Sequence, residues 1–498
     1  MKGAGMFQKE QMNGIKTQKS MDLKCGVLIL SALSVFVLVG CGDIDPCSEM
    51  SKASSSPSPS FVGPPDTGGQ TRVTSPQVSE FKDQKLALVQ CIQIALERNP
   101  QTVSSGYAAR AAAARVGQAK SAYLPTVGFV SSAVRGDSGQ MDNNPESSVR
   151  NTFDAVFGVR YLLFDGGGRD ALVQGVAAEL LAANFRYNTI LQDIALGVEE
   201  SYYDLLAAQR LGDLAVETVR QRESHVQIAE ARYKIGIVAK SDVLRAQTEK
   251  ADADLRLVQA ENAVRVARGR LANAMGLHVS ESFEIVDLSE DVHRLELADI
   301  ESLLDEAARN RPELRAALAQ IEAQRAGVKA AEARFWPAVS AIWDFGWEGR
   351  SVFPGQEQWN VGVGLDIPLF TGFDRTYQVH RAKADLAKAV ADRQKLLRDE
   401  QLEVWTAYSR IIESSQAIDA ATKYVASAEE SARVAEGEYK NGTGSIIGLI
   451  DAQTARTAAR TRLIQANLDW HMSMARFERA VGRTLAATES FAEQRDKP

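Results

Sequence analysis

Hydrophobic and polar residues alternate along three stretches of the chain, each about ten residues long. Strict alternation has the two-residue period of a β-strand, because successive side chains of a strand point to opposite faces. A fourth candidate strand runs through residues 126–134. The apolar members of the three alternating stretches are Phe153, Ala155, Phe157, Val159 and Tyr161; Val339, Ala341, Trp343, Phe345 and Trp347; and Trp359, Val361, Val363, Leu365 and Ile367.

The apolar face of these strands is rich in aromatic residues, and long alternating strands of this kind are typical of membrane β-barrels. On this interpretation the apolar face meets lipid and the polar face lines a water-filled lumen. A soluble sheet with one covered face has the same alternation and stays open as the alternative. The side chains predicted to form an aromatic belt at the membrane interface are Tyr161, Trp343, Trp347 and Trp359.

Long helical tracts follow the strands. No proline interrupts residues 146–311 or 369–497, and both tracts are rich in good helix formers. The first tract predicts a helix over residues 169–234, roughly 100 Å long, and a return helix over residues 241–275. A shorter helical stretch over 86–122 is interrupted near Asn99-Pro100. The apolar ladder of the long helix, which would pack in coiled-coil fashion, is Ile190, Ile194, Val198, Tyr202 and Leu205.

The second half of the chain repeats the first. The stretch Tyr233-Lys-Ile-Gly236 recurs as Tyr439-Lys-Asn-Gly442, at an offset of 206 residues. Further upstream the offset is 212, since Tyr123-Leu-Pro125 recurs as Phe335-Trp-Pro337. A glycine between two helical tracts predicts a tight turn. Each copy is therefore expected to form a long helical hairpin that turns at this glycine.

The number of strands predicts an oligomer. Closing a barrel takes about eight strands, and an open sheet edge is not tolerated in lipid. The sequence supplies only four candidate strands, so three chains would supply twelve.

The amino terminus carries a targeting signal. An apolar run over residues 27–39 ends in Leu38-Val39-Gly40-Cys41, which resembles a bacterial lipobox. Residues 1–40 would then be a lipoprotein signal peptide, with Met1 or Met21 as its start. Cys41 would be the lipidated first residue of the mature protein. An inner-membrane anchor helix is the alternative.

Residues 41–80 are rich in Ser, Pro, Gly and Thr, which predicts a flexible tether. By the lipoprotein sorting rule, Gly42 directly after the cysteine implies delivery to the outer membrane. Cys47 in this tether would pair with Cys91 in an oxidising periplasm, or Cys91 would be a lone buried thiol.

Composition and spacing exclude several classes of function. The net charge is −7 and no basic face is present, which argues against nucleic acid as a partner. The five histidines have no metal-ligand spacing. The glycine-rich turn at 165–168 lacks the Gly-Lys-Ser/Thr of a phosphate loop. We therefore expect no enzyme activity, no cofactor and no metal site.

Taken together, the motifs resemble one known family. A lipobox, a duplicated helix–strand–strand–helix–helix unit, Phe164-Asp-Gly-Gly167 after the second strand and Asp242-Val-Leu-Arg-Ala-Gln247 after the turn are similar to the TolC-type outer-membrane factors, and in particular to the acylated efflux lipoproteins. The resemblance implies a mainly α-helical fold with a membrane β-barrel portion. Three chains would form a twelve-stranded barrel, four strands per chain, continuous with a long α-helical coiled-coil tunnel in the periplasm.

The resemblance also implies domain bounds. The first repeat would span 81–295, the second 296–485, and a tail would follow over 486–498.

Gate residues follow from the same resemblance. In the family, contacts between the two hairpins hold the tunnel tip shut, and rings of aspartate line its narrowest passage. The matching positions imply a contact between Asp242 and Tyr439 and a ring at Asp451, whose three carboxylates would raise one another's pKa. The other ring position is Gly448, and the family's basic latch residue falls on Gly444. Both aspartates also suit the positive amino ends of the return helices.

The implied partners are further copies of the chain, outer-membrane lipid, a periplasmic adaptor and an inner-membrane pump. The adaptor would dock in grooves around Gly236 and Gly442. The function expected is an exit duct for small toxic molecules or drugs. Two alternatives stay open, namely a type I protein-secretion duct and a lipid-tethered periplasmic coiled-coil scaffold. A third, the adaptor itself, is disfavoured because adaptors carry one hairpin and this chain carries two.

Overall fold

The computed structural model describes residues 85–137, 149–287, 299–350 and 355–483, and these residues fall into two compact units. The sheet unit spans Ala112–Ala177 and Ala326–Ala382, and the helical unit holds the remaining described residues. The first copy contains β1 (Lys85–Leu86), α1 (Leu88–Arg98), α2 (Pro100–Lys120), a 3₁₀ turn (Ser121–Tyr123), β2 (Thr126–Asp137), β3 (Val149–Phe164), α3 (Gly168–Lys234), α4 (Lys240–Ala274) and β4 (Glu284–Ile285). The second contains α5 (Ile300–Asn310), α6 (Pro312–Ala333), β5 (Ala338–Gly349), β6 (Gln356–Asp366), α7 (Asp374–Asn441) and α8 (Ile446–Val481).

The sheet unit is built on four antiparallel strands in the order β2-β3-β5-β6. All four predicted strands are confirmed, although β3 is longer than the alternating stretch that predicted it. Paired residues of antiparallel strands lie on the same face. Because Phe157 pairs with both Phe129 and Phe345, the apolar positions of adjacent strands fall on one side of the sheet.

The long helices match their predicted bounds closely. α3 has 67 residues and α7 has 68, so each is roughly 100 Å long. The return helices α4 and α8 have 35 and 36 residues. Of the helices that the structure describes, none is long and apolar enough to cross a membrane.

The predicted ladder of α3 lies in the main core of the helical unit. Ile194, Val198, Tyr202 and Leu205 are buried there, and Ile190 packs against the same cluster. The cluster also includes residues of α1 and α4, so the ladder joins three helices of the first copy.

A small parallel sheet was not predicted. β1 pairs with β4, two residues each. The buried Tyr202 hydroxyl donates to the Val286 carbonyl at 2.6 Å and lies 3.4 Å from the Leu86 carbonyl. This contact holds the segment around β4, at the end of the first copy, against α3.

The duplication extends to backbone conformation. Six glycines at equivalent positions of the two copies all have positive φ, between 62° and 82°. They are Gly166, Gly236 and Gly276 in the first copy and Gly372, Gly442 and Gly482 in the second. This left-handed conformation favours glycine, because a Cβ would be strained there. One exception is Phe373, with φ 65°, at the position of Gly167.

One hydrogen bond is kept between the copies although its donor differs. In the first copy, Asn99 Nδ2 donates to the Ala274 carbonyl at 2.9 Å. In the second, Arg311 Nη1 donates to the equivalent Ala480 carbonyl at 3.4 Å. The end of the return helix is thus held to the same helix junction in both copies, by a neutral amide in one and a guanidinium in the other.

The charge of Arg311 is matched by a buried carboxylate. Glu400 occupies the ladder position equivalent to Ile194 and lies 3.5 Å from Arg311 Nε. Burial raises the pKa of Glu400 to about 7, while the charge of Arg311 opposes the rise. The other charged groups acting on Glu400 are Glu313, Glu403 and Arg479.

Replacing Glu400 by glutamine will flatten the pH dependence of stability. The folded chain holds the Glu400 proton up to about pH 7, whereas the unfolded chain loses it near the ordinary value of 4.5. The free energy of unfolding therefore falls as the pH rises from about 4.5 to about 7 and levels off above that. Thermal unfolding of detergent-solubilised protein across this range measures the slope. The exposed Glu413→Gln variant on the same helix is the control, and a Glu400→Gln slope equal to that of the unmodified protein would contradict the assignment.

Candidate gate at the hairpin ends

Both hairpins turn through the same helix-ending motif. The long helix closes with two backbone hydrogen bonds around a glycine of positive φ, the arrangement that commonly ends helices. The bonds run from the Gly236 amide to the Tyr233 carbonyl and from the Ile237 amide to the Arg232 carbonyl, both 3.0 Å, and from Gly442 to Tyr439 at 3.2 Å and Thr443 to Glu438 at 3.0 Å. Gly236 and Gly442, the predicted docking positions, are both exposed at these turns.

Tyr439 is the side chain that joins the two hairpins. It is only 2% exposed. Its ring lies in an apolar cluster that we call the hairpin-end cluster, which contains side chains from α3, α4, α7 and α8. The buried members are Val226, Ala229, Val243, Ala246, Tyr439, Ile446 and Leu449.

Arg232 of the first hairpin covers this tyrosine. Its guanidinium carbon lies 4.7 Å from the ring centroid of Tyr439, within cation–π range. Its Nη2 also donates to the Lys440 carbonyl at 2.9 Å. One arginine therefore contacts both the side chain and the backbone of the second hairpin.

No hydrogen bond joins Asp242 to Tyr439 in the described residues, and the structure relates them only through the charge of Asp242. Burial raises the pKa of Tyr439, the charge of Arg232 opposes that rise, and the charge of Asp242 adds to it. The Tyr439 hydroxyl is buried with no hydrogen-bond partner in the described residues. Asp242 instead lies in the first turn of α4 with its Oδ1 at 3.5 Å from the Ser241 hydroxyl.

Comparison of the copies explains part of the role of Asp242. The N-cap of α8 is Ser445, whose hydroxyl accepts from the Gly448 amide at 3.1 Å. The equivalent N-cap of α4 is Ala239, which has no such side-chain bond. Asp242 stands at the position of Gly448 and brings a negative charge to the amino end of α4, which the helix dipole favours.

Asp451 lies apart from the tyrosine contact. It is an exposed residue in the second turn of α8. The structure therefore leaves Asp451 on an accessible surface, apart from the buried Tyr439. Gly444 accompanies the turn, where its amide donates to the Glu438 carbonyl at 3.0 Å.

Ion pairs further along the helices reinforce the contact between the hairpins. Arg460 of α8 binds both carboxylate oxygens of Glu217 on α3, at 2.8 and 2.9 Å, and also contacts Glu429 on α7 at 2.6 Å. Nearer the turn, Arg222 donates to the Thr454 hydroxyl at 3.2 Å. The first hairpin is thus held to α8 at further levels besides the hairpin-end cluster.

Arg232 and Glu217 were not predicted from the sequence. Arg232 directly precedes the repeated Tyr233 motif, but its counterpart in the second copy is Glu438, so comparison of the copies did not mark it. The signal that was available is the pairing of an arginine on one hairpin with a tyrosine on the other.

The four predicted belt residues lie on one face of the sheet but at four different levels. The levels can be expressed as positions on β5, the strand that carries Trp343 and Trp347. Tyr161 lies at the level of Ala341, and Trp359 lies at the level of Phe345. These levels span six residues, roughly 20 Å along the strand. Seen along the strands, the aromatic residues are distributed over the apolar face and do not form a single row.

The cysteine predictions are tested only in part. Cys91 is a fully buried free thiol, and burial raises its pKa to about 12. Both Cys47 and the predicted lipidation site Cys41 lie outside the described residues.

Known proteins are similar to this chain in sequence and in fold. The model of the outer membrane efflux protein family matches residues 91–277 and 303–483. Protein CyaE of Bordetella pertussis is 29% identical over 383 residues, which cover 76% of this chain and 80% of that protein. The probable efflux pump outer membrane protein TtgC of Pseudomonas putida is 23% identical over 350 residues, covering 69% and 71%. The solved structure of the outer-membrane channel OprN has a TM-score of 0.72 at 22% identity and covers 80% of this chain and 90% of that one.

Removing the ring of Tyr439 will loosen the hairpin ends. Tyr439→Ala deletes a buried ring and its contact with Arg232, at a cost of about 3 kcal/mol or more. Tyr439→Phe keeps the ring and removes only a hydroxyl without a partner, so it will behave like the unmodified protein. Hydrogen exchange of the amides around Gly236 and Gly442 measures the opening. Equal exchange in the Ala and Phe variants would contradict the importance of the ring.

Proposed function

Because this chain belongs to the outer membrane efflux protein family, we propose that it is the outer-membrane exit duct of a tripartite efflux system. The observation that carries the proposal is the combination of a four-stranded sheet having one apolar face with helices of 67 and 68 residues. A strand pattern suited to lipid and helices suited to a long conduit are then present in one chain. Pumps and adaptors would supply the energy, and the chain itself would be passive.

The duct would be a homotrimer. In one chain, β2 and β6 are the outer strands of the sheet, and each has a neighbour on one side only. Unpaired backbone groups are costly in lipid, so another copy would pair with each edge. Three copies supply twelve strands, enough to close a barrel.

The duplication predicts the register of that pairing. Within the chain, Phe157 of β3 pairs with Phe345 of β5. β6 corresponds to β3 at an offset of 206 residues, and β2 corresponds to β5 at an offset of 212 residues. β2 and β5 are each 12 residues long. The same contact between copies would place Val363 of one copy opposite Ala133 of the next.

The faces of the sheet suit such a barrel. The polar face carries Asp154, which accepts from the Ser132 hydroxyl at 2.9 Å, and also Asp344 and Arg160. These residues would line the lumen, while the opposite apolar face would meet lipid. Tyr161, Trp343, Trp347 and Trp359 would then lie on the lipid-facing side of the barrel, at several depths.

A lipid on Cys41 would add a second anchor in the outer membrane. The support is the sequence Leu38-Val39-Gly40-Cys41 at the end of an apolar run. The Ser- and Pro-rich segment over residues 41–80 would tether this lipid to the first repeat.

The hairpin ends would be both the gate and the docking site. In this proposal the contacts of Tyr439 with Arg232 and Asp242 keep the hairpins together, and exposed Asp451 carboxylates from three copies favour cations. The turns at Gly236 and Gly442 would accept a periplasmic adaptor, since both glycines are exposed. An inner-membrane pump would complete the system.

Small molecules are the proposed cargo. The support is the family description as an efflux protein and the name of the relative TtgC as a probable efflux pump component. The polar face of the sheet, with small residues such as Gly158 and Gly362 beside its charges, suits many solutes.

Weakening the gate will raise conductance. In planar bilayers the unmodified protein should show a low, cation-selective conductance, because the hairpin ends are closed. Tyr439→Ala and Asp242→Asn should raise it several-fold, since the first removes the buried ring that joins the hairpins and the second removes a negative charge that acts on that tyrosine. Asp252→Asn is the control on the same helix as Asp242, because Asp252 pairs within that helix with Arg256. No conductance in any variant would contradict the duct, whereas equal conductance in all would contradict only the gate.

Cysteine cross-linking will test the strand register. A chain carrying both Val363→Cys and Ala133→Cys should form covalent dimers and trimers on oxidation in the membrane. The control combines Val363→Cys with Phe129→Cys, which lies on the same strand face but four residues away, roughly 13 Å. Each single variant measures the background from native cysteines. Efficient cross-linking of the control pair and not of the test pair would contradict the register.

A further inference from the structure

The contact between α3 and α8 contains an ion pair, and the equivalent positions on α7 and α4 carry the opposite charges. Within one chain, Arg460 of α8 binds Glu217 of α3 with two hydrogen bonds. At the offset of 206, Glu217 corresponds to Lys423 of α7, and Arg460 corresponds to Asp254 of α4. The equivalent pair is again of opposite charge, with the two signs exchanged.

The helix faces that carry this second pair are less covered than those that carry the first. On α7 Leu402 is 64% exposed, whereas its counterpart on α3, Leu196, is half-buried. On α4 Val258 is 60% exposed, whereas its counterpart on α8, Ile464, is half-buried. Apolar side chains that are half-buried on α3 and α8 are thus exposed at the equivalent positions of α7 and α4.

Lys423 and Asp254 are placed to take part in a contact with another copy. Lys423 is exposed on α7, and Asp254 is half-exposed on α4, where it accepts from Lys250 at 3.3 Å. In the same way, Arg460 contacts Glu429 of the second repeat, to which it belongs, while it also binds Glu217 of the first repeat. A local partner therefore does not prevent either group from forming the cross-helix pair.

We propose that Lys423 of one copy pairs with Asp254 of the next copy, and that the exchanged signs fix the order of the repeats around the ring. This inference rests on the proposed homotrimer and specifies how its subunits recognise one another. The partner is a second copy of this chain, presenting α4 to α7.

The alternative contacts are disfavoured by like charges. If the first repeats of two copies met through α3 and α4, Glu217 would face Asp254. If two second repeats met through α7 and α8, Lys423 would face Arg460. Only alternation of first and second repeats gives opposite charges at every contact, and like-charge juxtaposition is a common way to reject wrong partners.

Charge reversal tests the proposal. Lys423→Asp and Asp254→Lys each create a like-charge contact at all three subunit interfaces. Loss of an exposed pair changes an equilibrium roughly threefold, so three equal interfaces weaken trimer formation about 30-fold. The double variant, with both changes in one chain, restores opposite charges and should restore the trimer. Lys388→Asp is the control, because Lys388 lies on α7 but pairs within the helix with Asp392.

The readout is the fraction of trimer in detergent over a dilution series, measured by size-exclusion chromatography. Reduced trimer in both single variants, with recovery in the double variant, supports the inference. If the unmodified protein forms trimers and the single variants do so equally well, the pairing is wrong while the homotrimer stands. If the double variant does not recover, the two residues do not face each other. If the unmodified protein forms no trimer, the proposed function itself fails.

Discussion

The unpaired edges of the sheet are the constraint on which the rest of the account depends. β2 and β6 each have a partner on one side only, and the apolar face they share suits lipid, where free backbone groups are costly. A single chain therefore cannot be complete in a membrane. The same edges limit how copies can join, because the strands that meet must continue the register already seen between β3 and β5.

In the proposed trimer, the duplication makes the contacts within one chain a template for its contacts with other copies. The backbone has changed little, since the helix-ending glycines of both copies keep positive φ. Some side chains differ although the contact is kept. Where the first repeat has Asn99, the second has Arg311, with the buried Glu400 beside it. A buried pair of this kind adds little stability on its own, so its pH sensitivity is its most distinctive property.

Much of the fold could be predicted because its signals are long and repeated. Proline-free tracts and the ladder at Ile190 to Leu205 set the helices, and the alternation set the strands. The two-residue strands β1 and β4 were missed because they are too short to show a period. Register was also out of reach, since it depends on pairing between distant residues, and the levels of Trp343 and Trp359 follow from register. At the hairpin ends, the repeated motif marked Tyr439. The position of Arg232, however, carries Glu438 in the second repeat, and only the structure shows where Arg232 packs.

The central claim is that this chain acts as a closed ring of three copies. The most direct measurement is the mass of the detergent-extracted protein by light scattering, with the contribution of bound detergent subtracted. The account predicts a particle of three chains, in which twelve strands close. A particle of one or two chains would leave sheet edges open in lipid and would contradict both the duct and its gate.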